Sequence, residues 1–142
     1  MTFSQNLLKD LVNTIAPITK NEFKHLVSIF SEKPLPKGSK PIIFGESSNL
    51  VLFVTKGLLR EYTINNNEEH TLWITGVGEA ILDPGSFMVG EPSKIEVEAL
   101  VNSHILYTTR QQLETILVEI PSINAVTHVL YQKNLQDFRE HM

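Results

Sequence analysis

The segment between Val51 and Thr108 constrains the fold most, because its apolar runs are short and are cut repeatedly by Gly and Asn corners. Ile95, Val97 and Ala99 fall on one side of an extended stretch and Glu96 and Glu98 on the other, the period-two pattern of a strand with one face on a core and one in water. Lys56 and Gly57 separate the run Val51 to Val54 from the run Leu58 to Ile64. Glycine there supplies the positive φ of a hairpin corner, so the two runs are expected to pair antiparallel. Asn65, Asn66 and Asn67 mark the next corner, since asparagine tolerates the left-handed region. His70 to Thr75 then forms a strand, and His104 to Thr108 closes the set after a turn at Asn102 and Ser103. Short strands with such corners imply a sandwich, jelly roll or barrel.

Helical patterns flank these strands. Phe3, Leu7, Leu8, Leu11, Val12 and Ile15 recur at three- and four-residue spacing, with Thr2 and Gln5 set for a capping box. Thr19 with Glu22 repeats the box before Phe23, Leu26, Val27 and Phe30, and Pro34 and Pro36 are expected to stop that helix. Thr109 with Gln112 gives a third box, and Pro121 introduces a last helix running to Met142. The expected architecture is one domain, residues 1–142, with helices over 1–33, a mainly β barrel over 34–108 and helices over 109–142.

A chain of 142 residues suits one core. The absence of cysteine excludes disulfides, thiolate zinc sites and cysteine-held iron–sulfur clusters. Twelve Lys and Arg against sixteen Asp and Glu give a net charge of −4, a poor footprint for nucleic acid. Lys9 and Asp10 interrupt the stretch where a signal peptide would carry its apolar run. A cytoplasmic chain with no membrane contact is expected.

Leu35, Lys37 and Gly38, then Phe44, Gly45 and Glu46, then Lys56, Gly57, Leu58 and Leu59 resemble the signature of the cyclic nucleotide-binding domain of Crp/Fnr-type regulators. The resemblance spans roughly the whole chain and implies a double-stranded β-helix, or jelly-roll, barrel between leading helices and a long final helix. It also implies a non-catalytic sensor that dimerises. A winged helix-turn-helix follows the long helix in the family, and a chain ending at Met142 has no residues for it, so this chain alone is expected not to bind DNA.

In the family a Gly-Glu pair opens a phosphate-binding cassette, its Glu holding the ribose hydroxyl, while a short helix offers N–H groups and an Arg clamps the cyclic phosphate. Gly78, Glu79 and Ala80 match the opening, and the arginine position falls at Ser93 and Lys94. These five residues are the expected ligand site. No arginine is present there, and Lys94 is the one cation from Glu79 to Ser103, against five carboxylates. Asp83, directly before Pro84, reads as an N-cap that would fill the helix end with the chain's own carboxylate. A cyclic nucleotide is therefore expected to bind weakly, and a less anionic effector, or none, is the fitting partner. No cofactor is expected.

Tyr62, Trp73, Phe87 and Met88 read as barrel or core packing. On the last helix, Ile123, Val126 and Leu130 share one face, whereas Tyr131, Leu135, Phe138 and Met142 form a second stripe, the expected homodimer interface. The alternative is a cupin-like metal protein on the same barrel, but the five histidines are scattered and Glu68, Glu69 and His70 read as a solvated corner. No nucleophile elbow and no phosphate loop is present, so no catalytic residue is assigned.

Overall fold

The computed structural model describes the backbone of residues 1–141 and the side chains of residues 1–136. Two helices, α1 (Phe3–Ile15) and α2 (Lys20–Ser28), lead the chain. Seven strands follow: β1 (Ser31–Leu35), β2 (Leu50–Lys56), β3 (Leu59–Asn65), β4 (Glu68–Thr75), β5 (Ala80–Ile81), β6 (Glu96–Ala99) and β7 (Ser103–Thr109). A short helix, α3 (Pro84–Val89), lies between β5 and β6, and α4 (Arg110–Leu117) and α5 (Ser122–His141) end the chain. The capping boxes of Thr2 with Gln5, Thr19 with Glu22 and Thr109 with Gln112 are all formed.

The strands make two antiparallel sheets, in the orders β1-β7-β2-β5 and β4-β3-β6. Between them sits the barrel core, with Leu52, Val54, Ile81 and Ile105 from the first sheet and Leu59, Leu72, Val97 and Ala99 from the second. The other side of the first sheet carries the helices. Val51, Phe53 and Leu106 join Leu8, Val12, Phe23, Leu26, Leu113, Ile116 and Ile123 in a second core. The unbroken apolar run of β2 is thereby explained: alternate residues enter different cores, so neither face meets water. Each such side chain contributes about 1.5–3 kcal/mol of burial.

The expected pairing of Val51 to Val54 with Leu58 to Ile64 does not occur. The flanks of β2 are taken by β7 and β5, and those of β3 by β4 and β6. Gly57 does adopt a positive φ, +97°, but the corner sends the chain from one sheet into the other, so close to Ser103 that a Cβ would overlap that side chain. Glycine fixes a turn's handedness; it does not say that the flanking strands are partners.

Four further expectations change. Helix α2 ends at Ser28 rather than at Pro34, and Pro34 lies inside the edge strand β1, where a missing N–H is tolerated. The barrel thus begins at Ser31. Trp73 is 42% exposed and Met88 36% exposed, so neither is core, whereas Tyr62 and Phe87 are buried. Glu96 does not face water either: it is buried opposite Tyr62 in the β3–β6 register.

Candidate functional site

The short helix α3 is built around one carboxylate. Asp83 is its N-cap and Pro84 its first residue, whose fixed φ and missing N–H suit that position. Asp83 Oδ1 accepts the Ser86 N–H at 2.9 Å, and Oδ2 accepts the Ser93 hydroxyl at 2.8 Å and the Lys94 N–H at 3.0 Å. The carboxylate is 4% exposed. Three donors from both ends of the α3 segment thus converge on an internal anion. Gly90, in the left-handed region at φ +75°, ends the helix and returns the chain toward Ser93.

The sequence-expected site residues fall into two groups. Ser93 and Lys94 lie at Asp83, whereas Gly78, Glu79 and Ala80 lie one strand upstream. Glu79 Oε1 accepts the Gly76 N–H at 3.1 Å, Gly78 donates to the Val54 carbonyl at 2.9 Å, and Ala80 pairs with Phe53. Gly78 and Glu79 form the turn into β5, and the residues that open α3 are Leu82 and Asp83. Gly78 and Glu79 are therefore separated from the helix by one short strand, β5, which is too brief to leave a pattern in the sequence.

Two hollows flank Pro84. The inner one, lined by Glu61, Leu72, Trp73, Leu82, Ile95 and Asn134, measures about 10 Å³, no more than the smallest space that holds one water molecule. The outer groove measures about 280 Å³ and runs between α3 and α5, with Met88 and Val89 on one wall, Tyr131 and Leu135 on the other, and Asp83, Glu91 and Lys94 at its polar edge. Asn134 ties the walls together. Its Oδ1 accepts the Leu82 N–H at 3.4 Å and its Nδ2 donates to the Leu130 carbonyl at 2.9 Å. On α5, Ile123, Val126 and Leu130 pack on the helical core, as their stripe implied; Tyr131, from the second stripe, packs there too. Phe138 and Met142 lie outside the residues whose side chains are described.

A second polar centre, invisible in the sequence, lies in the other sheet. The Tyr62 hydroxyl donates to Glu96, with Glu98 Oε1 at 3.3 Å. Glu96 also accepts from the Phe44 N–H at 3.3 Å and pairs with Lys40 at 3.3 Å, while Arg60 stacks 4.1 Å from the Tyr62 ring centroid. Burial works to raise the Glu96 pKa, but hydrogen bonds from Tyr62, Lys40 and Phe44 outweigh it and hold the carboxyl below its ordinary 4.5. Burial and the adjoining Glu96 carboxylate push Tyr62 well above 10.0. This centre pins the loop from Lys40 to Phe44 onto the barrel. Only the β3–β6 register could have revealed it, since Tyr62 and Glu96 are 34 residues apart. Among the described residues no three His, Asp or Glu side chains converge as metal ligands.

A cyclic nucleotide-binding domain from Methylobacillus flagellatus KT superposes on this chain with a TM-score of 0.81 at 22% identity, over 98% of this chain and 79% of that one. This is the fold of cyclic nucleotide-binding domains. The catabolite activator protein of Thermus thermophilus aligns with a TM-score of 0.75 at 18% identity, over 86% of this chain and 57% of its own. The sensor domain of the transcriptional regulator DNR from Pseudomonas aeruginosa aligns at 0.72 and 19%, over 96% and 91%. No family model and no curated protein sequence matches. On the cyclic nucleotide-binding fold, then, the helix opening carries Leu82 and Asp83, with Ser93 and Lys94 across from them. None of the described helices is long and apolar enough to cross a membrane.

Proposed function

We propose that this chain is a non-catalytic regulatory sensor module that takes a small, non-anionic effector rather than a cyclic nucleotide and dimerises through α5. One observation carries the reading: the Ser86 N–H, the Ser93 hydroxyl and the Lys94 backbone N–H, donors at the opening of α3, are already spent on the chain's own Asp83 carboxylate. A phosphate brought within about 4 Å of that carboxylate meets a repulsion of about 4 kcal/mol at an effective dielectric of 20, roughly a thousandfold in affinity. The inner hollow offers no room either. Lys94 and the groove between α3 and α5, with Ser93 beneath at Asp83, are the proposed effector site, while Gly78, Glu79 and Ala80 form the turn and strand that lead into α3 and do not line that groove. In the dimer the face of α5 that carries half-buried Leu135 meets the partner helix; Phe138, on the same stripe of the sequence, lies outside the residues whose side chains are described.

Isothermal titration tests the ligand claim. Cyclic AMP and cyclic GMP bind no tighter than about 100 µM. Low-micromolar binding to the unmodified protein, abolished by Lys94→Ala, would show that Lys94 replaces the family's arginine and would overturn the reading.

A further inference from the structure

A groove of about 430 Å³ opens between α1 and α2, lined by Phe23 and Val27 and by Lys9, Lys20 and Lys24. Its size lies within the roughly 300–1,000 Å³ of small-molecule sites. Three lysines gather there although the chain as a whole carries a net charge of −4. Among the described residues, no carboxylate pairs with any of them. The acid nearest in sequence on α2, Glu22, is bound to the Thr19 N–H at 2.9 Å. The local electrostatics disfavour these cations. Lys20 is the first residue of α2, at the positive end of the helix dipole, and Lys24 follows one turn later as a like-charged neighbour. An anion between them relieves both penalties, while half-buried Val27 presents apolar surface beside the charges and Phe23, 4% exposed, closes the floor beneath it.

We propose that this groove binds a single-chain amphiphile with an anionic head, of the fatty-acid class: the carboxylate among Lys9, Lys20 and Lys24, the hydrocarbon along Phe23 and Val27. A 430 Å³ hollow suits one short acyl chain rather than a peptide helix. Lysine also suits the partner, because an ammonium acts as a point charge and asks no bidentate geometry of the head group. The assignment does not depend on the effector site at α3.

The test is titration of the full chain with decanoate, below micelle formation, followed by amide chemical shifts and calorimetry. Saturable binding is expected, with the shifts centred on Phe23 and Val27. Lys9→Gln, Lys20→Gln and Lys24→Gln together weaken it about tenfold or more, and high salt weakens it similarly. Lys20 and Lys24 are exposed and Lys9 half-buried, and an unchanged spectrum elsewhere verifies that the triple variant folds. Equal affinity for decanol, retention of affinity in the triple variant, shifts centred on the α3–α5 groove, or no saturation would each overturn the proposal. Tighter binding of an acidic amphipathic peptide, or cosedimentation with phosphatidylglycerol vesicles but no decanoate binding, would reassign the surface to a protein or a membrane.

Discussion

Replacing Asp83 by Ala tests whether the chain carries its own anion at the start of α3. The N-cap bond to Ser86 is worth about 1 kcal/mol, and the Ser93 hydroxyl and Lys94 N–H lose a charged acceptor whose removal costs about 1–3 kcal/mol. Lys94 is exposed and water replaces part of its bond, whereas Ser93 is buried and keeps the deficit. The expected loss is about 2–4 kcal/mol. With a urea m-value of about 2 kcal/mol/M, the unfolding midpoint falls by about 1–2 M. Asp83→Asn separates charge from geometry, because the amide still offers one acceptor to Ser86 but sets an NH2 against the remaining donors; its loss falls between wild type and Asp83→Ala. Equilibrium urea unfolding followed by circular dichroism reads both. A loss below about 1 kcal/mol for Asp83→Ala, or no loss for Asp83→Asn, would refute the claim that three donors depend on this carboxylate.

Other perturbations discriminate the remaining parts. The depressed Glu96 pKa contributes stability that is present above its unfolded value of about 4.5 and lost as pH falls through the lower folded value. Tyr62→Phe removes one of the bonds that depress it, so the acid-unfolding limb moves to higher pH; an unmoved limb would remove Tyr62 from that role. Asn134→Ala leaves the Leu82 N–H without its acceptor and costs about 1–3 kcal/mol in the same urea assay. Leu135→Glu with Phe138→Glu converts a dimer to a monomer in sedimentation, and an unchanged mass would exclude α5 from the interface. Ser93→Arg raises cyclic AMP affinity by no more than the roughly 1.5–3 kcal/mol of one charged contact, read by calorimetry.

The helices were legible because their signals are local: each capping box spans four residues and each apolar stripe repeats within a turn. The existence of the strands was legible for the same reason. Their partners were not, since β2 and β3, adjacent in sequence, belong to different sheets, and β7 inserts between β1 and β2. Asp83 could be read as a cap from the Pro84 that follows it, but its second oxygen depends on Ser93 and Lys94, ten and eleven residues on. Glu96 was misread for a related reason. Strict alternation assigns it the outer face, and only the arrival of Tyr62, Lys40 and the Phe44 N–H turns that face into a buried polar site.

The position of α5 is tied to the opening of α3 by two contacts of different kinds. Leu82 sits in the helical core with Ile123 and Val126, and its N–H is held by Asn134 about two to three turns further along the same helix. An effector wedged between Met88 and Leu135 would have to separate those walls or hold them at their present spacing. In the first case its binding opposes the Asn134 bond and loosens the far half of α5; in the second it reinforces both. A ligand shifts such an equilibrium only by its differential affinity for the two arrangements, so the bond at Asn134, worth about 0.5–1.5 kcal/mol, bounds what that one contact can transmit. Changes in dimer affinity larger than about tenfold must therefore also draw on the apolar packing of Leu82, Tyr131 and Leu135.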